Sequence, residues 1–187
     1  MKNRLEVIQA YHFADYDQYR GTTHNKGIMN GIIAVALATG QDTRALEAAA
    51  HSYASMSGRY RSLTSWKKNR DGDLVGSIKV PIAVGIVGGS ASVNPIAKIG
   101  LKILGVKSAG ELSKVMASVG LAQNLAALRA LVGEGIQKGH MKLHARNIAV
   151  SAGAKGTEID AVARIMIKEK VVKFARAKEI LEGLGRK

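Results

Sequence analysis

The chain has 187 residues with no cysteine, a formal net charge of +14, 47% hydrophobic residues and only 4% aromatic residues. This length predicts one domain with room for a small appendage. Without cysteine, disulfides and thiolate metal sites are excluded. No apolar run approaches the roughly 18 residues of a membrane helix, and no signal-peptide core follows Met1, so the sequence predicts a soluble, cytoplasmic protein.

The positive charge is concentrated towards the C-terminus. Residues 1–58 carry 5 basic and 5 acidic side chains, whereas residues 137–187 carry 12 basic and 5 acidic ones. Such a surface suits a polyanionic partner, which is nucleic acid, a phosphate-bearing cofactor or an acidic protein. Nucleic acid is the weakest of these hypotheses, because the chain has no aromatic stacking platform and its charge is spread over several segments.

The first part of the chain is predicted to be helical around one polar loop. Residues 2–17 repeat apolar side chains at helical spacing, and residues 25–38 are apolar almost all round. The polar stretch between them, residues 20–27, is predicted to be a loop. Its Lys26 has two open interpretations. It is either a cation at the rim of the core that reaches back to water, or part of an oxyanion-binding loop at a helix N-terminus.

The middle of the chain adds one hairpin to the helices. Gly40 ends the apolar helix, and a second helix is predicted from Gln41 to about Ser57. Asp71-Gly72 lies between two alternating segments, residues 61–69 and 73–80, and this pattern is typical of a β-hairpin.

Two capping patterns predict the next two helices. Asn94-Pro95 predicts the start of a helix that ends at Gly105. Residues 108–111 have the form of a capping box and open a long helix that reaches about Val132. That helix contains the amide pair Gln123-Asn124. Buried amides must find hydrogen-bond partners, so the pair either ties the core together or faces a polar ligand.

The C-terminal region carries two histidines but no convincing metal site. His140 and His144 share a helix face, yet zinc needs a third ligand and no acidic residue flanks them as in H-E-x-x-H, so no metal is expected. Neither G-x-G-x-x-G nor a Walker sequence occurs in the chain. Gly153 to Gly156 breaks the helix before two short amphipathic helices. The predicted fold class is α+β, predominantly helical with one small hairpin-centred sheet and a small helical C-terminal appendage.

Four stretches in order resemble the 3-hydroxy-3-methylglutaryl-coenzyme A (HMG-CoA) reductase family. They are Thr-His-Asn-Lys-Gly-Ile-Met-Asn-Gly (23–31), Ala-Thr-Gly-Gln-Asp-Thr-Arg-Ala (38–45), Gly-Leu-Ala-Gln-Asn-Leu-Ala-Ala-Leu-Arg-Ala-Leu (120–131) and Gly-His-Met-Lys-Leu-His-Ala-Arg-Asn (139–147). The last is similar to the soluble class II enzymes. The resemblance implies that residues 1–150 form the C-terminal part of the large, substrate-binding domain and residues 151–187 a basic, mobile flap.

The resemblance also implies a reaction and its catalytic residues. The family reduces the HMG-CoA thioester to mevalonate by two hydride transfers from NAD(P)H and releases coenzyme A, or runs the reverse reaction. Lys26 matches the lysine that stabilises the oxyanion, and Asp42 the aspartate that hydrogen-bonds it. His140 matches the histidine that protonates the coenzyme A thiolate. His144 is either a supporting or a structural residue.

Substrate contacts follow from the same resemblance. Arg20 matches the arginine that binds the free carboxylate of the substrate. Asn30, Gln123 and Asn124 fall at positions where the family lines the pocket with amides. The basic tail would suit the phosphates of coenzyme A.

The chain also departs from the family. It lacks the Glu-Asn-Val-Ile-Gly motif and the nucleotide-binding Asp-Ala-Met-Gly-Met-Asn motif, so no residue is assigned to cofactor binding. We therefore expect a partial chain that is inactive alone and needs the N-terminal half. The family forms dimers with the active site at the subunit interface, so the expected partner is a further copy or that half. An inactive remnant that serves as an interaction protein is the alternative, and a nucleic-acid-binding protein a less favoured one.

Overall fold

The computed structural model describes residues 3–89, 93–133 and 136–184, with the side chains of residues 3, 136–140 and 142 outside the description. The described residues form eight helices and two strands. In chain order these are α1 (Asn3–Tyr16), α2 (Gln18–Ala38), α3 (Thr43–Ser55), β1 (Thr64–Lys68), β2 (Leu74–Ile78), α4 (Pro95–Leu104), α5 (Ala109–Val132), α6 (Ile136–Ser151), α7 (Thr157–Glu169) and α8 (Phe174–Leu184). The predicted α+β class, mostly helical with one small sheet, is confirmed.

The predicted loop at residues 20–27 is wrong, because α2 begins at Gln18 and runs through it. Asp17 forms the N-cap of α2, and its side chain accepts a hydrogen bond from the backbone N–H of Arg20 at 2.7 Å. Such a cap satisfies one of the unpaired N–H groups of a first helical turn. Lys26 consequently lies in the third turn of α2, and the interpretation as a loop at a helix N-terminus does not apply.

Gly21, which lies in that polar stretch, makes a close contact between two helices. A Cβ on Gly21 would lie 2.7 Å from the backbone oxygen of Ala14, in α1. Glycine is therefore used here for the approach of two backbones rather than for a turn.

The sheet is the predicted hairpin. β1 and β2 pair antiparallel, with Thr64 opposite Ile78 and Lys68 opposite Leu74. Gly72 has φ +87°, a left-handed conformation that glycine adopts without strain. The hairpin lies beside α1 and α5, and Trp66 on β1 is buried with Val7 and Leu128 in a small apolar cluster.

The caps of α4 and α5 follow the sequence. Asn94 caps α4 by accepting from the N–H of Ile96 at 2.9 Å, and α4 ends at Gly105 with φ +67°. At the start of α5 the Ser108 hydroxyl accepts from the N–H of Glu111 at 3.1 Å, while the Glu111 carboxylate accepts from the N–H of Lys107 at 2.8 Å. The reciprocal pair is a capping box displaced by one residue.

The main core lies between α2, α3 and α5. Its largest buried side chains are Ile28, Met29, Ile32, Leu46, Leu112 and Met116. α2 and α5 pack along each other through two glycines. A Cβ on Gly31 would meet the Val119 oxygen at 3.0 Å, and one on Gly120 would meet the Ile32 side chain at 2.9 Å. The close approach fixes α5 against α2.

α5 is the one helix of the described residues that is long and apolar enough to cross a membrane by length and composition. Its most apolar window has a mean hydropathy of 1.4. The expectation that no apolar stretch reaches this length is therefore wrong. Length and composition alone are weak evidence for a membrane span, because the core helix of a soluble protein can pass the same test.

Two compact units divide the chain, residues 1–132 and residues 133–187. The second unit consists of α6, α7 and α8 around its own small core, which includes Ala145, Val162, Met166 and Ile180. α6 therefore groups with the C-terminal helices, whereas the sequence placed the boundary of the flap at residue 151. The assignment of a mobile flap remains a prediction.

Candidate active site

Lys26 and Asn30 lie one turn apart on the exposed face of α2, opposite the buried residues of that helix. Neither side chain has a protein hydrogen bond or ion pair within the described residues. A cation and an amide side by side, both without a protein partner, can bind a carbonyl or carboxylate oxygen from solution.

Gln123 is brought to α2 by the close packing of α5. Its Cβ lies 3.1 Å from the position that a Cβ on Gly31 would occupy, and its side chain is exposed. Gly31 directly follows Asn30. The structure therefore brings Gln123 beside Gly31, on the side of α2 that packs against α5, whereas Lys26 and Asn30 lie on the exposed face of α2.

Arg20 also lies on α2, six residues before Lys26, and it is half-buried. Burial lowers the pKa of its guanidinium, which still stays charged at neutral pH. Its charge contributes to the lowered pKa of His24, so the two side chains are close enough to interact. No carboxylate pairs with Arg20 in the part of the chain that the structure describes.

Asn124 faces the interior and not the exposed face. Its side chain is 1% exposed, and its Oδ1 accepts from the indole Nε1 of Trp66 at 2.8 Å and from the hydroxyl of Thr64 at 3.0 Å. Its Nδ2 lies 3.1 and 3.4 Å from the two ring nitrogens of His24. The structural alternative therefore applies to Asn124, and a direct contact with substrate does not fit its placement.

His24, Thr64 and Asn124 form a closed ring of hydrogen bonds, which we call the polar node. His24 Nε2 lies 2.9 Å from the Thr64 hydroxyl oxygen. With the proton on Nε2, His24 donates to Thr64, Thr64 donates to Asn124, and Asn124 donates to Nδ1 of His24. This arrangement needs a neutral imidazole. Burial, followed by the charge of Arg20, lowers the pKa of His24 to about 4, so the ring is neutral at pH 7.

Asn25 ties α2 to the segment that leads into the hairpin. Its Nδ2 donates to the carbonyl of Arg61 at 2.8 Å, and its Oδ1 accepts from the N–H of Leu63 at 3.0 Å. A side-chain amide that bonds one N–H and one C=O replaces a strand partner. Asn25 lies in the motif at residues 23–31, and no role for it was predicted from the sequence. Its place at the start of an apolar helix was nevertheless a signal that its amide N–H and C=O groups need partners.

Asp42 occupies the N-cap of α3, where its side chain accepts from the N–H of Ala45 at 3.0 Å. It is exposed and opens onto a cavity of about 530 Å³. The cavity is lined by the turn between α2 and α3 and by a glycine-rich segment: Leu37, Gly40, Gln41, Asp42, Gly85, Val87, Gly88 and Gly89.

The structure does not bring Lys26 and Asp42 together within one chain. Lys26 and Ala38 are twelve positions apart in continuous helix, which at about 1.5 Å per residue is about 18 Å, and Asp42 follows in the turn that joins this end of α2 to α3. The distance exceeds the reach of a lysine side chain. An ion pair between these two residues of the same chain would require α2 to break.

The side chain of His140 lies outside the described residues, and only its place in α6 is known. His144 follows one turn later and is exposed. Among the side chains that the structure describes, no group of three or more His, Asp or Glu residues could hold a metal ion.

The comparisons with known proteins agree on one family. The family model of hydroxymethylglutaryl-coenzyme A reductase matches residues 2–145. The chain is 57% identical over 178 residues to 3-hydroxy-3-methylglutaryl-coenzyme A reductase of Archaeoglobus fulgidus, covering 95% of this chain and 41% of the relative. It is 47% identical over 148 residues to a probable enzyme of the same name from Borreliella burgdorferi, covering 79% of this chain and 34% of the relative.

Solved structures give the same result. The fold is similar to that of a class II reductase from Streptococcus pneumoniae bound to NADPH, with a TM-score of 0.69 and 44% identity over 98% of this chain and 44% of that one. The chain thus spans less than half the length of these relatives. It belongs to the hydroxymethylglutaryl-coenzyme A reductase family.

Proposed function

We propose that this chain supplies the substrate-binding side of an HMG-CoA reductase, which reduces the thioester of HMG-CoA to mevalonate or runs the reverse reaction in the cytoplasm. The observation that supports this most is the pair formed by Lys26 and Asn30, which lie one turn apart on the exposed face of α2 without a protein partner among the described residues. The two polar groups project from a helix that packs closely against α5 at Gly31, and neither is occupied by another described group. Such preorganisation is what stabilises a developing charge.

In this proposal the ammonium of Lys26 stabilises the negative charge that develops on the carbonyl oxygen of the thioester. Asn30 and Gln123 orient the acyl group by hydrogen bonds. The Arg20 guanidinium binds the free carboxylate of the substrate, for which its planar fork is suited. His140 donates a proton to the leaving coenzyme A thiolate. Asn124 acts through the polar node by holding α5, and with it Gln123, in place.

The basic C-terminal unit is proposed to face the phosphates of coenzyme A. Arg146 and Arg176 are engaged in ion pairs, with Asp160 and with Glu169 and Glu179. Arg164 and Lys168, one turn apart on α7, have no ion pair among the described residues. Lys155, Lys170 and Lys173 likewise have no ion pair among the described side chains, and these five residues are the cations that we expect to meet phosphate oxygens.

The hydride donor is expected to be NAD(P)H, as in the family. This sequence carries no dinucleotide motif, and we assign none of its residues to the nicotinamide cofactor. The nucleotide-binding part and the catalytic glutamate must then come from sequence that these 187 residues do not include. The chain alone is expected to bind substrate groups without completing hydride transfer.

We further propose that Asp42 and Lys26 meet between two copies of the chain. One α2 helix holds them too far apart for a direct contact, so an aspartate that tunes the lysine has to come from a second copy. In a symmetric dimer each of two sites would then contain Lys26 of one copy and Asp42 of the other.

The experiment is a reductase assay of this chain co-expressed with the N-terminal half of a family member, following nicotinamide absorbance with HMG-CoA. Lys26→Ala should lower kcat by about 10²–10³, the usual cost of removing one oxyanion-stabilising group. Gly27→Ala is the matched control, because a Cβ there meets nothing within 4 Å. Activity that survives both Lys26→Ala and His140→Ala would overturn the assignment.

A further inference from the structure

The side chain of Gln41 joins the two walls of the cavity beside Asp42. Its Nε2 donates to the carbonyl of Gly85 at 2.8 Å and to the carbonyl of Thr39 at 2.9 Å. Its Oε1 accepts from the N–H of Gly85 at 2.9 Å. One amide thus makes three hydrogen bonds to backbone groups of two separate segments.

The bonds to Gly85 reproduce those of a β-ladder. A primary amide presents an acceptor and a donor side by side, as a peptide group does, and here both engage the same residue. Gly85 opens a segment that continues to Gly88 and Gly89, which have φ +79° and +54°. Among the described residues, Gly85 makes no hydrogen bond to the backbone of another segment. The side chain of Gln41 therefore anchors the start of this segment.

The other end of the same residue is fixed to α2. The backbone N–H of Gln41 donates to the carbonyl of Ala36 at 2.8 Å. The bond from Nε2 to Thr39 holds the side chain against the end of that helix. The bonds to Ala36 and Thr39 therefore orient the side-chain amide of Gln41 towards Gly85. Through this amide, the glycine-rich segment is held at a fixed distance from the end of α2.

We propose that Gln41 is a positioning residue that sets the width of the Asp42 cavity by holding the segment from Gly85 to Gly89 against the turn between α2 and α3. This inference rests on the proposed function for its catalytic consequence, because Asp42 acts from the rim of that cavity. Its structural part, the anchoring of Gly85, stands without it.

Among side chains of similar size, only glutamine can make these three hydrogen bonds. Glutamate keeps the acceptor but places a carboxylate against the carbonyl oxygens of Gly85 and Thr39, which repel it. Leucine keeps the approximate volume and loses all three hydrogen bonds. Asparagine is one methylene shorter and cannot span both segments.

The test has two readouts on Gln41→Leu and Gln41→Glu, with Arg44→Ala as a control on an exposed side chain of α3. In the isolated chain, hydrogen exchange of the Gly85 amide should quicken by about tenfold or more in Gln41→Leu, because its acceptor is lost. It should also quicken in Gln41→Glu, because the carboxylate is repelled by the carbonyl oxygens of Gly85 and Thr39 and moves away from both segments. The Arg44→Ala control should leave it unchanged. An unchanged Gly85 amide in Gln41→Leu would overturn the proposal.

The second readout uses the co-expressed enzyme. Both Gln41 variants should lower kcat by about tenfold while KM for HMG-CoA stays within about twofold, since Asp42 acts on the transition state. Faster hydrogen exchange of the Gly85 amide together with an unchanged kcat would overturn the proposal that Gln41 positions the Asp42 cavity for catalysis. If the unsubstituted enzyme shows no reductase activity, the proposed function fails, and the exchange result still decides whether Gln41 anchors Gly85.

Discussion

Asn124 accepts a hydrogen bond from the Trp66 indole, with 2.8 Å between Nε1 and Oδ1, and this contact joins the long helix α5 to the hairpin. Both side chains are buried, at 1% and 5% exposure. A buried indole N–H needs an acceptor, and Asn124 supplies it. The neighbouring amide, Gln123, points to the exposed face. Two adjacent residues of one motif therefore have different surroundings, since Asn124 is bonded in the interior and Gln123 is exposed.

Asn124→Leu should destabilise the chain by about 2–4 kcal/mol, because the buried donors of Trp66 and Thr64 lose their common acceptor. Gln123→Ala, one residue earlier on the exposed face, should cost no more than about 0.5 kcal/mol. Urea unfolding followed by tryptophan fluorescence measures both. Equal stability of the two variants would contradict the internal role of Asn124.

The polar node predicts a stability change in mild acid. The folded-state pKa of His24 is about 4, against an ordinary value of 6.5. As the pH falls below 6.5 the unfolded chain takes up a proton that the folded chain does not bind, so stability falls until about pH 4. The loss is about 3 kcal/mol when complete, at about 1.4 kcal/mol per pKa unit.

Urea unfolding at a series of pH values measures this loss, with His24→Gln as the control that removes the titrating group. The variant should lack the decrease between pH 6.5 and 4. Asp15 has a lowered pKa, mainly through its hydrogen bond with Arg61, so its own contribution is lost below its ordinary value of 3.8. The two effects therefore fall in separate pH ranges. An unchanged decrease in His24→Gln would contradict a neutral, buried His24.

Two glycines of α2, one turn apart, should respond oppositely to alanine. Gly31→Ala places a Cβ 3.0 Å from the Val119 oxygen and should cost about 1–3 kcal/mol, because the backbones of α2 and α5 must separate. Gly27→Ala meets nothing and should gain up to about 1 kcal/mol from helix propensity. Thermal unfolding of both variants checks the difference, and a stabilised Gly31→Ala would show that α2 and α5 are not packed closely there.

The elements with local capping signals were predictable from the sequence. Asn94-Pro95 and Asp71-Gly72 each act through a few neighbouring residues, and the α4 start and the hairpin are where they indicate. The predicted loop at residues 20–27 is wrong because a polar stretch between two apolar runs indicates a break in the helix, whereas α2 continues through it and Gly21 contacts α1. A glycine is needed at position 21 because a Cβ would collide with the backbone oxygen of Ala14 in α1. A contact between two helices of this kind leaves no recognisable pattern in the neighbouring sequence.

The sequence predicted which residues belong to the candidate site but not how far apart they lie. The resemblance selected Lys26 and Asp42 but did not reveal that continuous helix separates them. Gln41 was overlooked because its partner, Gly85, lies 44 residues away. Sequence patterns specify which groups are present, whereas distances between them depend on how far each helix continues.

The most direct test of the proposed site mixes two inactive variants, Lys26→Ala and Asp42→Ala, each co-expressed with the N-terminal half. If Lys26 and Asp42 of different copies share a site, a mixed dimer contains one intact site. Random exchange of subunits should then restore about a quarter of the unsubstituted activity. Recovery that grows with the fraction of mixed dimers supports the account. No recovery, with mixed dimers confirmed by mass, would contradict a site shared between two copies.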